Sequence, residues 1–218
     1  MKFEELNLKA LQELETHVPK LAGFPSRLLA DTYDKFIEVL YRDIDNAIFN
    51  IQKNAELRQN DTEDRLTIDI INQLNCVGYS ASHDKKICGH ADLVVEYQSF
   101  IWIGEAKIHK DYNYIWEGFQ QLATRYSIGD FNQKDGGILI YIRNADAQSV
   151  MDKWRDFLGN KDLPDYFFEI CSSKASSFFS THKHEKSGQL FRIRHMPVIL
   201  HFSPKDKSGR NTRSKKSE

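Results

Sequence analysis

Apolar residues change their spacing near residue 60, and before that point the spacing is helical. Leu11, Leu14 and Val18 mark a first amphipathic segment, which the Gly-Phe-Pro-Ser run at 23–26 interrupts. A longer stripe follows at steps of three or four residues, formed by Leu29, Tyr33, Ile37, Leu40, Ile44, Ile48 and Ile51. We predict one long helix that docks on the main domain or on the first helix. Because the repeat is about 3.5 residues, a coiled-coil-like dimer seam is the alternative.

Beyond residue 60 the pattern predicts the order helix, strands, helix, strand, helix, strand. Helical stripes occupy 61–77, 112–126 and 147–158, and β-branched and aromatic runs occupy 93–95, 100–103 and 138–142, with 96–99 as a hairpin connection. Two further candidate strands span 166–170 and 191–202. We therefore expect an α/β domain at 59–203, built on a mixed β-sheet flanked by helices. The helical region at 1–58 precedes it and serves docking or oligomerisation.

Composition indicates a soluble protein and excludes several classes. A hydrophobic fraction of 40% with 28% charged residues is typical of a globular domain. The formal net charge of −1 does not by itself indicate a polyanion partner, although 204–218 form a basic tail that we expect to be disordered. Three cysteines without a Cys-x-x-Cys pair favour a reducing compartment. No signal peptide and no membrane-spanning run is recognisable, so we expect a cytoplasmic protein without membrane contact.

The residues with the clearest chemistry lie on the predicted hairpin. Asp92 begins its first apolar run, and Glu105-Ala106-Lys107 ends its second. Side chains of a strand alternate between its faces, so Glu105 and Lys107 point the same way and Ala106 points away. An antiparallel neighbour brings Asp92 alongside them. Two carboxylates and an ammonium then converge, which suits a hard divalent cation and an anionic substrate.

Glu63 is the third candidate carboxylate. At 100° per residue it falls within the arc of Leu66, Ile70 and Leu74, on the buried face of its helix, whereas Asp64 points away. A carboxylate on a buried face requires a partner, and a metal ion is a suitable one. The alternative is that Glu63 lies in a frayed first turn and only favours the helix dipole.

Residues 60–145 resemble the PD-(D/E)xK, or restriction-endonuclease-like, nuclease superfamily. The resemblance lies in Glu63 on a first helix, Asp92 and Glu105-x-Lys107 on consecutive strands, and Gln121 on the following helix. It implies a restriction-endonuclease-like sheet in which Glu63, Asp92 and Glu105 hold Mg²⁺, for which Mn²⁺ can substitute. It also implies that Lys107 assists attack of water on a phosphodiester, and it makes all five residues candidate catalytic residues.

Three positions depart from the pattern of the superfamily or extend it. Some members carry Gln followed four residues later by Tyr, whereas here Arg125 is four residues after Gln121 and Tyr126 is five. Arg125 shares a helix flank with Gln121 and is a candidate phosphate contact; a solvated flank is the alternative. Ala91 stands where Pro is frequent in the superfamily. His90 is a candidate substrate contact, or a structural residue at the strand entry.

The sequence therefore predicts a metal-dependent nuclease. By superfamily frequency we expect DNA rather than RNA as the substrate, in restriction, repair or antiviral defence. The alternative is a non-catalytic nucleic-acid-binding or assembly module on the same fold. The N-terminal helices are candidate contacts for a homodimer or a partner protein. The His182-Lys183-His184 run lies in a Ser- and Lys-rich stretch, and we expect a solvated loop there rather than a metal site.

Overall fold

The structure is a computed structural model that describes residues 7–86 and 90–206. Cys88, the first six residues and the part of the basic tail at 207–218 lie outside the described residues, so the predictions made for them stay predictions. Within the described ranges, no helix combines the length and apolar character needed to cross a membrane.

A seven-stranded mixed sheet forms the centre of the molecule. Its strands are β1 (Ser80–Ser82), β4 (Leu93–Tyr97), β5 (Phe100–Ile108), β6 (Asp135–Ile142), β7 (Phe167–Ile170), β8 (Phe178–Lys183) and β9 (Leu190–Ile199), in the order β1-β4-β5-β6-β9-β8-β7. β5, β6 and β9 are parallel, whereas the other neighbours are antiparallel. The predicted hairpin is β4–β5, with Leu93 opposite Gly104. A separate two-stranded ribbon pairs β2 (Lys85–Lys86) with β3 (His90–Ala91).

Helices cover both faces of the sheet, which confirms an α/β fold with a mixed sheet. They are α1 (Leu8–Glu13), α2 (Phe24–Leu28), α3 (Tyr33–Gln52), α4 (Glu63–Cys76), α5 (Tyr112–Gln120) and α6 (Ala147–Gly159), with 3₁₀ turns at Pro19–Leu21 and Ala55–Arg58. α3 and α4 share one hydrophobic cluster with Trp102 and Leu139 of the sheet. α5 and α6 share the other cluster with Ile103 and Ile138.

The apolar stripe of α3 is buried inside this chain. Leu40 and Ile44 are fully buried and Ile48 is 1% exposed, all within the cluster that includes the sheet. This packing agrees with the docking interpretation, and it leaves the stripe covered rather than exposed as a dimer seam.

The prediction that one continuous helix carries the whole stripe from Leu29 to Ile51 is wrong, because the helix is divided into α2 and α3. Leu29 is the C-terminal cap of the short α2, and α3 begins at Tyr33, where the Thr32 hydroxyl accepts a hydrogen bond from the Lys35 N–H. The Thr32 side chain satisfies a backbone donor in the first turn of α3. α3 therefore begins there, even though the apolar spacing already starts at Leu29. The first helix is also shorter than expected and ends at Glu13, before Val18.

The strand β8 is the longest of the strands that the sequence did not predict, which also include β1, β2 and β3. It lies between β7 and β9, and its His182 is 4% exposed. His184 just beyond it is 1% exposed and lies 2.7 Å from the Ser127 hydroxyl, measured from its Nε2 atom. The prediction of a solvated loop at 182–184 is therefore wrong, because partners distant in sequence satisfy or cover these polar side chains. His182, for example, packs against the rings of Phe119 and Phe191.

Candidate carboxylate–lysine site

The strand β5 places Glu105 and Lys107 on the face that α5 covers. Ala106 between them is fully buried in the cluster on the opposite face, as the alternation predicts. In the register with β6, Glu105 lies beside Ile138 and Lys107 beside Ile140. Central parallel strands usually carry apolar side chains on both faces. Two buried ionisable side chains at this position are therefore not explained by hydrophobic packing, and they make this part of β5 a candidate functional site.

Lys107 is the centre of the site. Its Nζ lies 2.5 Å from Oε1 of Glu105 and 3.8 Å from a carboxylate oxygen of both Glu63 and Asp92. The Glu105 side chain is 2% exposed and the Lys107 side chain 9% exposed, while the other two are partly accessible. The four predicted residues therefore converge, with three carboxylates around one ammonium.

Two of the carboxylates also complete the edge of β5. Its pairing with β4 reaches Gly104, opposite the first residue of β4. Beyond that point the N–H of Ala106 donates to Oδ2 of Asp92 at 2.9 Å, and the N–H of Ile108 donates to Oε2 of Glu63 at 2.6 Å. The carboxylates thus accept hydrogen bonds at the edge where β4 no longer runs, and these bonds fix their orientation toward Lys107.

α5 packs closely over Lys107 at Gly118. A β-carbon at residue 118 would lie 2.8 Å from Cε and 2.9 Å from Cγ of Lys107, and 3.2 Å from Cγ of Glu105. One turn earlier, the Tyr114 hydroxyl lies 3.4 Å from Oε1 of Glu63, and Nζ of Lys107 is 5.6 Å from the centre of the Tyr114 ring. Glycine at 118 therefore lets the helix approach closely enough to confine the lysine.

Burial and mutual repulsion shift the ionisation of the site. Burial, followed by the charge of Asp92, raises the pKa of Glu105 to about 8, although Lys107 acts in the opposite direction. Burial also raises the pKa of Glu63, against the hydrogen bond from Ile108. For Lys107, burial acts to lower the pKa, but Glu105 and then the other carboxylates raise it to about 12. The ammonium therefore stays charged at neutral pH, while the protonated form of Glu105 is favoured there.

The oxygen donors of the site suit a hard cation. Oε2 of Glu105 is buried and has no hydrogen-bond partner, which is costly unless something else satisfies it. Carboxylate oxygens are the ligands that Mg²⁺ and Mn²⁺ prefer. Over the described ranges, no three His, Cys, Asp or Glu side chains are grouped as a ready metal cage. In this structure the Lys107 ammonium supplies the positive charge among the three carboxylates.

The helix after the site contains a π-helical turn at Gln121–Tyr126. Its bonding pattern joins residues five apart, as in the hydrogen bond from the Ser127 N–H to the Leu122 carbonyl. The five-residue spacing of Gln121 and Tyr126 therefore matches one turn of this helix. Oε1 of Gln121 is buried without a partner. Burial and then the charge of Glu105 raise the pKa of Tyr126, so this buried ring is electrostatically coupled to the site.

The other two candidate contacts lie at the periphery. Arg125 is exposed on the π-helical turn. His90 is exposed on the β2–β3 ribbon, with its Nδ1 atom 2.7 Å from Oδ1 of Asp84. The structure thus brings Glu63, Asp92, Glu105 and Lys107 together in direct contact, whereas His90 is paired elsewhere.

Sequence reasoning missed Tyr114 and Gly118. Gly118 occurs on the flank that the sequence assigned to Gln121, so its position on the site face could have been found by helical projection. Tyr114 is four residues before it and shares that face. No family model matches the chain, and no curated protein and no solved structure matches it either.

Proposed function

We propose that this protein is a metal-dependent nuclease that hydrolyses phosphodiester bonds, with DNA as the preferred substrate. In this proposal the sheet and its helices form a restriction-endonuclease-like domain that acts in restriction, repair or antiviral defence. The observation that supports it most directly is the convergence of Glu63, Asp92 and Glu105 on the Lys107 ammonium, with one buried carboxylate oxygen left unpaired. A purely structural ion pair needs one carboxylate for one lysine, not three.

Each residue has a role that follows from its contacts. Glu63 and Asp92 are held by backbone N–H groups of β5, so they present carboxylate oxygens in fixed positions. When bound among them, a divalent cation would neutralise charge on the phosphoryl oxygens and acidify a water molecule. Lys107 remains charged at working pH and stabilises the negative charge that develops as phosphorus becomes five-coordinate.

Glu105 supplies a group that can exchange a proton. With a pKa raised to about 8, it accepts or releases a proton near neutral pH, and an approaching cation favours its ionised form. Of the proposed substrate contacts, Arg125 lies on the π-helical turn after α5 and offers an exposed guanidinium suited to phosphate, and His90 lies on the β2–β3 ribbon. Gln121, on the same π-helical turn, stays a candidate catalytic residue with an unpaired amide oxygen.

The experiment is a cleavage assay on supercoiled DNA, linear DNA and RNA, each with Mg²⁺, Mn²⁺ or EDTA. The wild-type chain should cut DNA with either metal and not in EDTA. Lys107→Ala and the isosteric Asp92→Asn should not cut, while Lys153→Ala, an exposed lysine on α6, should cut like wild type. Circular dichroism confirms that each variant is folded.

Two outcomes would overturn the proposal. Retained metal-dependent cleavage by folded Lys107→Ala would remove the site from the reaction. Failure of the wild type to cut any nucleic acid under any condition, with salt-sensitive binding retained, would favour the non-catalytic nucleic-acid-binding module.

A further inference from the structure

A cavity with charged residues in its lining lies on the opposite face of the sheet from the carboxylate–lysine site. It has a volume of about 730 Å³ and is bounded by α3, the starts of β6 and β9, and the segment after β7. Its lining includes Asp135, Arg192, Phe179 and Lys174. Pockets of roughly 300–1,000 Å³ are the size that binds small organic ligands and cofactors.

Asp135 is a buried carboxylate without a hydrogen-bond donor. The residue is 5% exposed, its Oδ1 atom has no partner, and the nearest cation is Nη1 of Arg192 at 4.0 Å. Burial, which Arg192 only partly offsets, raises its pKa to about 6. Two other carboxylates at the cavity lie closer to cations than Asp135 does: Asp45 lies 2.9 Å from Arg194, and Asp34 lies 2.8 Å from Lys134. An acceptor that is buried and unpaired calls for a ligand with N–H donors.

Arg192 provides donors directly beside this acceptor. The two residues are register partners on the neighbouring parallel strands β6 and β9, so their side chains stand side by side. The Arg192 guanidinium carbon lies 3.7 Å from the centre of the Phe179 ring, so the cation is in contact with the aromatic ring. Its Nε is also buried without a partner. The cavity therefore combines an acceptor and a planar donor, with an aromatic face beneath the donor.

This pair complements a planar molecule that carries N–H donors and acceptors on adjacent edges. A guanine base has adjacent N1–H and N2–H donors for a carboxylate, and O6 and N7 acceptors for an arginine. Adenine would place its N1 acceptor against the carboxylate, and an aliphatic ammonium would satisfy Asp135 but leave Arg192 without an acceptor. The lining also includes Lys174, whose Nζ lies 3.5 Å from Oδ1 of Asp45, and the exposed Ser172, and both side chains can donate to a phosphate group.

We propose that this cavity is a guanine-nucleotide site, with Asp135 and Arg192 reading the base and Lys174 facing the phosphate. The site is separate from the carboxylate–lysine site and does not depend on its proposed nuclease activity.

The test is isothermal titration calorimetry of the full chain with GMP, AMP and XMP (the xanthine analogue). Wild type should bind GMP, and AMP and XMP should bind about tenfold more weakly or worse. Asp135→Asn should weaken GMP binding by about tenfold or more. It should also gain XMP binding, because its amide N–H can donate to the C2 carbonyl that replaces the amino group. Since the carboxylate has no hydrogen bond to lose, the variant should fold, which thermal melting checks.

Asp34→Asn is the matched control, because Asp34 also lines the cavity but is exposed and paired with Lys134. It should bind GMP like wild type, and so should Asp92→Asn, which alters only the other site. Absence of GMP binding at millimolar concentration, equal binding of GMP and AMP, or unchanged GMP and XMP binding by Asp135→Asn would each overturn the proposal.

Discussion

Glu105→Gln should stabilise the fold at alkaline pH while it removes activity. The substitution keeps the shape of the side chain, and the amide oxygen can still accept from Lys107, which lies 2.5 Å from Oε1 in the wild type. It removes the negative charge that burial and Asp92 disfavour. A residue that lowers stability in its working ionisation state is typical of a functional site.

The magnitude follows from the pKa of Glu105. Between its ordinary value of 4.5 and about 8, the folded protein retains a proton that the unfolded chain has released. The folded state therefore binds more protons in this window, and its stability falls as pH rises. At about 1.4 kcal/mol for each pH unit, the loss attributable to Glu105 is about 3 to 5 kcal/mol.

Urea unfolding followed by tryptophan fluorescence at pH 4.5 to 9 measures this effect. The difference in unfolding free energy, Glu105→Gln minus wild type, should rise through the window and level off above pH 8, because other titrating groups contribute to both proteins. At pH 8, Mg²⁺ should raise the stability of wild type more than that of the variant, since it favours ionised Glu105. A difference that stays constant from pH 4.5 to 9 would refute the assignment of a buried, destabilising carboxylate.

Two further substitutions test other parts of the structure. Gly118→Ala should displace Lys107, because its β-carbon would lie 2.8 Å from Cε; we expect about a 100-fold loss of cleavage. Gly159→Ala, whose β-carbon would have its nearest neighbour at 3.9 Å, should cleave normally, and full activity of Gly118→Ala would contradict the packing argument. His182→Phe should reduce acid destabilisation. Burial lowers the pKa of His182 to about 4, so the folded state binds fewer protons than the unfolded one and loses up to about 3 kcal/mol as pH falls from 6.5 to 4. Urea unfolding across that window should show a flatter profile for His182→Phe and an unchanged one for the exposed-site control His17→Gln; an unchanged His182→Phe profile would show that the imidazole is not buried in its neutral form.

The central part of the fold could be predicted because local pattern and burial agree there. The apolar parts of β4, β5 and β6 are β-branched or aromatic runs, and their burial follows from hydrophobicity alone. β8 could not be predicted in this way, since Ser180, Thr181 and His182 are polar yet buried. Ser180 is satisfied by Nε2 of His195 at 2.8 Å, a partner on the neighbouring strand that local periodicity does not reveal.

The candidate site also has one part that the sequence could predict and one part that it could not. Alternation along β5 and projection of α4 predicted the convergence of Glu63, Asp92, Glu105 and Lys107, because both rules depend only on local geometry. The π-helical turn was not predictable from α-helical projection, which assumes a constant period. The π-helical turn is wider than an α-helical one, so Gln121 and Tyr126, which are five residues apart, lie about one turn apart. An α-helix would place the same two residues on different faces.

The most direct test of the nuclease proposal is the initial rate of Mg²⁺-dependent cleavage of one end-labelled DNA duplex by folded wild type and Asp92→Asn. We expect cleavage by wild type that EDTA abolishes, and a rate for Asp92→Asn that is lower by about 100-fold or more. Equal rates for the two proteins would contradict it.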